Sequence, residues 1–332
     1  MVRRPLNLRL PLEPYAVDMR DAFFDEINRL AAKNRDVLLL TDDQGAFSLE
    51  WLRENLPEQY FNVGVAEQNL ISVAAGLALG GKIPIVYGIS PFMTLRCYEQ
   101  VRNDLCCMEL PVTIVASGAG YSYGGDGPTH HATQDVAIMR ALPDMTILNP
   151  SDAVSTTDFA RMACLEPVPK YVRIERSTLG KIYDNGHDFS AGLDLLVDGP
   201  DLVIISTGIM THQALQAAEE LARRGVAAGV IDLYRLKPVD EEALLEAIGD
   251  TPRIVTLEEH SLVGGLGSLV CEILSDHGRP IPVKRIGLPD RYLYKYGSRE
   301  WLQALVGLDL DSIVNSILGW EPEGRPIASG RR

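Results

Sequence analysis

Short aliphatic runs with almost no polar interruption alternate along this chain with longer stretches of helical periodicity, and this alternation narrows the possible folds more than any other feature. Val37-Leu38-Leu39-Leu40, Ile83-Pro84-Ile85-Val86-Tyr87, Val112-Thr113-Ile114-Val115 and Tyr171-Val172-Arg173-Ile174 are runs of this kind. A strand with one wet face would alternate apolar and polar residues. A nearly unbroken apolar run fits a parallel strand covered on both faces by helices. The helical patterns span about residues 15 to 34, with Phe23, Ile27 and Leu30 on one stripe, and about 67 to 80, 92 to 108 and 151 to 165. Ser151 reads as the N-cap of the last one. Strand and helix in regular succession predict an α/β fold with mostly parallel sheets.

After Arg176 the composition changes. The segment STLGKIYDNGHDFSAG is rich in turn residues and poor in helical periodicity, so residues 177 to 195 are expected to connect two domains. A second α/β series follows: Leu202-Val203-Ile204-Ile205, a helix over 210 to 223, Ala228-Gly229-Val230-Ile231, a helix over 239 to 248, and Ile254-Val255-Thr256-Leu257. At roughly 150 residues per domain, 332 residues make two. The expected bounds are 10–180 and 195–320, with 321–332 as a flexible tail.

Charge and cysteine usage narrow the function. With 45 acidic against 31 basic residues and a formal net charge of −14, the chain lacks the basic surface that nucleic acid requires. A few arginines can still hold a small anion against that field. The five cysteines, Cys97, Cys106, Cys107, Cys164 and Cys271, are odd in number and show neither a CxxC pair nor a metal-ligand spacing. They fit reduced thiols, with Cys106 and Cys107 as packing residues. No stretch approaches the roughly 20 apolar residues of a membrane span, and the arginine-bearing start has no continuous apolar segment. A cytoplasmic protein without a membrane partner is expected.

Three loops carry unusual polarity. Gly64-Val65-Ala66-Glu67-Gln68-Asn69 precedes a very apolar helix, so Glu67 must either cap that helix or serve a buried polar partner, and capping is the simpler reading. The glycine-rich loop from Gly118 to His131 lets backbone approach a ligand and offers Asp126 as acceptor and His130 as a titratable donor. It has neither P-loop nor GxGxxG spacing. His130 and His131, being neighbours, should diverge, so no metal site is expected there. The third loop, Glu258-Glu259-His260 through Gly264-Gly265-Leu266-Gly267, turns from a strand into a helix whose N-terminus could attract an anion. A packing or interface role for its glycines is an equal reading.

In this order the loops resemble the thiamine-diphosphate enzymes of the transketolase family. NVGVAEQN, GGDGPTHH, ALPDMTILNPSDA and EEHSLVGGLG form a collinear set, and the likeness covers about residues 10 to 320. It is to the C-terminal half of a transketolase: a pyrimidine-binding domain followed by a C-terminal domain. It extends to deoxyxylulose phosphate synthase and, more loosely, to β subunits of 2-oxoacid dehydrogenases. The resemblance implies that Glu67 is catalytic, hydrogen-bonding a ring nitrogen of the cofactor's aminopyrimidine, and that the cofactor is the electron sink when a carbon–carbon bond breaks. It implies that Phe92 stacks on the aminopyrimidine, that Arg96 belongs to the same segment, and that Asp43 lies near the cofactor. Asp126 and His130 match residues contacting sugar hydroxyls and the reacting oxygens. Arg20, Arg173 and Arg176 are candidates for the distal anion of a phosphorylated sugar, Arg176 foremost.

Four departures from the pattern imply an altered pocket: Gly118 replaces a usual histidine, Gly125 a glutamate, His131 a glutamine, and Ile89 a second aromatic. An unusual ketose, a sulfonated or branched sugar, or a biosynthetic aldehyde acceptor would fit. The family holds diphosphate and a divalent metal through a Gly-Asp-Gly motif followed by an Asn pair. Here the only Gly-Asp-Gly is Gly125-Asp126-Gly127, inside the sugar loop. The resemblance therefore implies a partner chain carrying the diphosphate and Mg2+ site, an extensive interface, and a heterotetramer that transfers a two-carbon ketol unit. A thiamine-diphosphate synthase, a 2-oxoacid dehydrogenase-type β subunit and a non-catalytic scaffold are the alternatives.

Overall fold

The computed structural model describes residues 17–320. In chain order α1 (Met19–Ala31), β1 (Val37–Thr41), α2 (Phe47–Asn55), β2 (Tyr60–Asn62), α3 (Glu67–Leu79) and β3 (Ile83–Ile89) open the first half. Next comes a helical stretch in which α4 (Tyr98–Gln100) separates two segments of wider π pitch, Phe92–Arg96 and Val101–Cys106. The half ends with β4 (Thr113–Ser117), α5 (Asp135–Arg140), β5 (Thr146–Leu148), α6 (Ala153–Leu165) and β6 (Lys170–Ile174). Every residue of β1, β4, β5 and β6 is buried. Their unbroken apolar runs are therefore the signature of strands covered on both faces.

The second half contains β7 (Leu193–Pro200), β8 (Leu202–Ser206), α7 (Met210–Arg223), β9 (Ala228–Leu233), β10 (Arg235–Lys237), α8 (Glu241–Ile248), β11 (Ile254–Ser261), α9 (Leu266–Asp276), β12 (Val283–Leu288), α10 (Arg299–Leu305) and α11 (Leu310–Leu318). Its sheet runs β12-β11-β8-β9-β7, parallel except for β7 against β9. The first sheet runs β10-β5-β6-β4-β3-β1-β2. Its edge strand β10 comes from the second half, antiparallel to β5 with Arg235 opposite Leu148. Lys237 ties that strand down by donating from Nζ to the Arg140 carbonyl at 2.9 Å.

Two local expectations need correction. Ser151 does not cap α6. Asp152 does, accepting from the Ser155 amide at 2.8 Å, while Ser151 donates its hydroxyl to the buried Asp232. The helix over 92 to 108 is broken by its two π segments rather than regular. The stretch from 177 to 195, leading from β6 into β7, packs into the core as it crosses. Ile182, Tyr183 and Phe189 are core residues, and the other carboxylate oxygen of Asp152 takes the Ile182 and Tyr183 amides, each at 2.9 Å. The expected tail at 321–332 and the expected start of the first domain at residues 10–16 lie outside the described residues. No helix among the described residues is long and apolar enough to cross a membrane.

The halves are clamped by buried charge. Arg299 on α10 donates from Nη1 to Glu175 at 2.8 Å and from Nε to Glu259 at 2.8 Å, and so joins the end of β6 to β11. Glu259 also accepts the Tyr121 amide at 3.0 Å. Asp232 collects hydroxyls from Ser151, Tyr183 and Thr211, one from each side of the connection and one from the connection itself. Its burial pushes its carboxyl up to about 7.

Candidate active site

The carboxyl ends of β1, β3, β4 and β6 face one rim of the first sheet, the usual location of a ligand crevice in an open α/β sheet. Each contributes its following loop: Asp42 after β1, Phe92 and Arg96 after β3, the glycine-rich loop after β4, and Arg176 after β6. Asp18 caps α1 by accepting the Arg20 amide at 2.9 Å, and the Met19 amide bonds the Ser177 carbonyl at 3.1 Å, which brings Arg20 to the Arg176 end of the rim.

Glu67 opens α3 but does not cap it; Ala66 stands at the cap position and contributes no side-chain bond. The Glu67 carboxylate is 2% exposed, and Arg96 Nη1 donates to it at 2.6 Å. Taking a carboxylate this far out of water is costly without such a partner, and the first turn of a helix adds a favourable dipole. Capping was the simpler reading of the sequence because the pattern shows the helix start and not a guanidinium 29 residues downstream.

From this pair a row of stacked groups runs along the rim. The Arg96 guanidinium lies 4.3 Å from the Phe92 ring centre, and Phe92 packs edge-on against His130 at 5.1 Å. The pitch of the π segment superimposes Phe92 and Arg96, which lie at its two ends. Such segments are frequent at functional sites. His130 accepts or donates at Nδ1 with the Thr129 hydroxyl at 3.0 Å and faces Tyr123 at 6.3 Å. Tyr123 in turn carries Arg176 over its ring at 5.8 Å. Beyond it, Arg20 and Arg176 share an open cavity of about 450 Å³ with Gly45, Ala46 and Glu50. Arg20 Nε is buried there without a hydrogen-bond partner.

The structure thus strings Glu67, Arg96, Phe92, His130, Arg176 and Arg20 into one row along the rim, ending at the cavity that the two arginines share. Asp126 lies exposed on the same loop, its amide bonded to the Tyr123 carbonyl at 3.0 Å. His131 diverges from His130 as expected, turning into the core against Tyr121 at 4.8 Å. Burial holds the His131 imidazole below its usual range.

Arg173 does not join the cleft. It is buried, with Nε on Asp135 at 2.6 Å and Nη2 on the Ala132 and Glu259 carbonyls at 3.1 Å each, so it braces the two halves and offers no face to an anion. Asp43 is exposed, at φ 76°, and accepts from Asn62 at 2.9 Å. Its neighbour Asp42 holds the buried position, near enough for Glu67 to act on it. Burial first, then the Glu67 charge, pushes Asp42 up to about 6. One Asp42 oxygen, Oδ1, is buried without a partner. The doublet Asp42-Asp43 at a strand end was the available signal; which of the two turns inward depends on the backbone.

The third polar loop is occupied from within. Glu258 takes the amides of Leu266 and Gly267 at 2.6 and 2.8 Å, capping α9 itself. A Cβ at Gly265 would lie 2.0 Å from the Glu258 carboxylate, so only glycine fits there. Glu259 belongs to the Arg299 clamp, and His260 Nε2 accepts the Ala137 amide at 3.3 Å. The packing reading holds there, and the anion reading does not.

Comparison with known proteins agrees with this layout. Residues 15–181 match the transketolase pyrimidine-binding domain and residues 192–313 the transketolase C-terminal domain. The chain is 38% identical to an apulose-4-phosphate transketolase subunit of Phocaeicola vulgatus, over 90% of this chain and 96% of that protein. It is 36% identical to a 6-deoxy-6-sulfo-D-fructose transketolase subunit of a Clostridium species, over 90% and 92%. Among solved structures, a split-gene transketolase described as an inactive β4 tetramer superposes with a TM-score of 0.82 at 36% identity, over 92% of this chain and 98% of that one. With both domains matched in order, and with those subunits matched over nearly their full length, this chain belongs to the transketolase family, whose cofactor is thiamine diphosphate.

Proposed function

We propose that this chain is one half of a two-component transketolase that moves a two-carbon ketol unit from an anion-bearing ketose to an aldehyde. The partner subunit supplies the diphosphate and Mg2+ contacts, and the two assemble as a heterotetramer. One observation carries the reading: the pair of buried Glu67 and half-exposed Arg96 stands at one end of a continuous row of groups that ends at two arginines. A site of this form has a proton-handling end and an anion-binding end, as a ketose phosphate requires. Relatives named as subunits, matching nearly the full length of this chain, support the two-component part. So do the exposed apolar side chains Val65, Leu79, Leu95 and Met108 on the elements around Glu67, a surface of the kind that partners cover.

The residues fit an aminopyrimidine. Glu67 is a dry carboxylate able to share a proton with a weakly basic ring nitrogen, Phe92 offers a flat face beside it, and the unpartnered Asp42 oxygen is buried close by. When bound, the cofactor supplies the electron sink for the broken carbon–carbon bond. The chain's own groups do the rest. Arg96 holds the Glu67 carboxylate in place. His130, held by Thr129 and Phe92, carries a proton to or from a sugar oxygen, and Asp126 accepts a sugar hydroxyl. Arg20 and Arg176 hold the distal anion, each charge-assisted contact being worth about 1.5–3 kcal/mol.

Pyruvate, as a donor, has no distal anion for the two arginines. Reconstitution of the pair with thiamine diphosphate, Mg2+ and an aldehyde acceptor, supplied in turn with ketose phosphates and with pyruvate, tests the proposal. Ketol transfer from the ketose phosphates is expected. Turnover of pyruvate alone would make the chain a synthase or dehydrogenase-type subunit, and a pair that binds no cofactor by calorimetry would make it a scaffold.

A further inference from the structure

We infer that Tyr123 is the specificity-determining residue of this cleft, setting how long a ketose can lie between the proton-handling end and the anion-binding end; this rests on the function proposed above. Three observations carry it. First, Tyr123 is the member of the row that links the two ends: His130 stands 6.3 Å from its ring and the Arg176 guanidinium 5.8 Å from it. A substrate reaching from His130 to Arg176 must pass along this ring.

Second, the ring occupies the space of a side chain that the sequence lacks. Gly118, at φ +92°, lies against it so closely that a Cβ there would stand 2.1 Å from Tyr123 Cε2 and 2.3 Å from Cδ2. A side chain at 118 and the ring at 123 exclude each other. The cleft wall after β4 is therefore an aromatic face, with no side chain from position 118 beside it.

Third, the ring is fixed. Its hydroxyl shares a hydrogen bond with Ser117 Oγ at 3.0 Å, and Ser117 Oγ also accepts from the Tyr87 hydroxyl at 3.4 Å. The Tyr123 carbonyl accepts the Asp126 amide at 3.0 Å, so the turn that presents Asp126 starts from the same residue. Side chains locked at both ends hold a wall in place, and a fixed wall discriminates by size. Because the hydroxyl is spent on Ser117, what faces the cleft is the ring. Such a wall rewards a short donor with C–H groups along it and gives no hydrogen bond to an additional hydroxyl.

The experiment measures kcat/KM of the reconstituted pair for two donors differing by one carbon between the carbonyl and the phosphate, a pentulose 5-phosphate and a hexulose 6-phosphate. In Tyr123→Ala the ratio of hexulose to pentulose is expected to rise about 10-fold or more, the usual worth of one carbon in a fitted pocket. Tyr123→Leu, which keeps apolar bulk if the smaller residue impairs folding, should move the ratio in the same direction by less. Tyr123→Phe retains the ring and should leave the ratio where it is. An effect confined to folding would lower both donors together and leave the ratio unmoved. An unmoved ratio in folded Tyr123→Ala and Tyr123→Leu pairs, with the wild-type pair active, overturns this inference alone. A wild-type pair that turns over neither donor overturns the proposed function, and this inference falls with it.

Discussion

Glu67→Gln keeps the shape of a buried side chain and removes one charge, so it separates chemistry from architecture. Its cost in stability follows from the exposure of the partner. Arg96 is 46% exposed, so water takes over much of its solvation once the carboxylate is gone, and the lost ion pair is worth no more than about 1 kcal/mol. Losing the Glu67 charge also relieves Asp42, whose carboxyl that charge helps to raise, so the two effects partly cancel. The melting temperature should therefore move by no more than about 2–4 °C. Turnover, in contrast, loses the group that shares a proton with the cofactor, an effect of about 10²- to 10⁴-fold, or roughly 3–5 kcal/mol of barrier. Initial rates of the purified pair at saturating cofactor, with thermal melts and size-exclusion profiles of the same samples, measure both quantities. A rate close to wild type in an intact assembly would refute the role of Glu67. A normal rate per assembled molecule combined with a collapse in stability would show that the pair serves folding instead.

Arg299→Ala leaves Glu175 and Glu259 buried without their shared cation and should cost about 3–5 kcal/mol, read by urea unfolding; a loss under about 1 kcal/mol would show that water reaches the clamp. Asp232 titrates near 7 when folded and near 3.8 when unfolded, so its contribution is full below the unfolded value and declines as pH rises towards 7. Asp232→Asn should therefore gain stability relative to wild type between pH 4 and pH 7, and a difference that does not change with pH would contradict the assignment. Arg176→Lys, which loses planar two-point contact with an oxyanion, should raise KM for a ketose phosphate about 10-fold with little change in kcat, and an unchanged KM would remove Arg176 from the anion site.

The architecture was readable where burial on both faces writes an unbroken apolar run, as in β1, β4 and β6. It was hidden where strands are short or lie at an edge. β2, mostly exposed, and β10, three residues long and paired across the two halves, leave no periodic trace. In the site, Glu67, Phe92, Arg96 and His130 sit close in sequence to the loops that announce them. Arg173 misled because its partner Asp135 lies 38 residues away, although a single arginine inside an apolar strand is itself a sign of a buried pair. Tyr123 was hidden among the glycines of its loop, which suggest a backbone that approaches a ligand, whereas the contribution of Gly118 is to make room for a ring.

The strand that the second half lends to the first sheet has a practical consequence. A gene cut near residue 181 would yield an N-terminal fragment whose β5 ends in bare amides and carbonyls, a template for sticking to its neighbours. Removing β10 would also strip the Lys237 anchor from the Arg140 carbonyl. Any grafting, swapping or trimming of this polypeptide should therefore keep β10 with the first sheet.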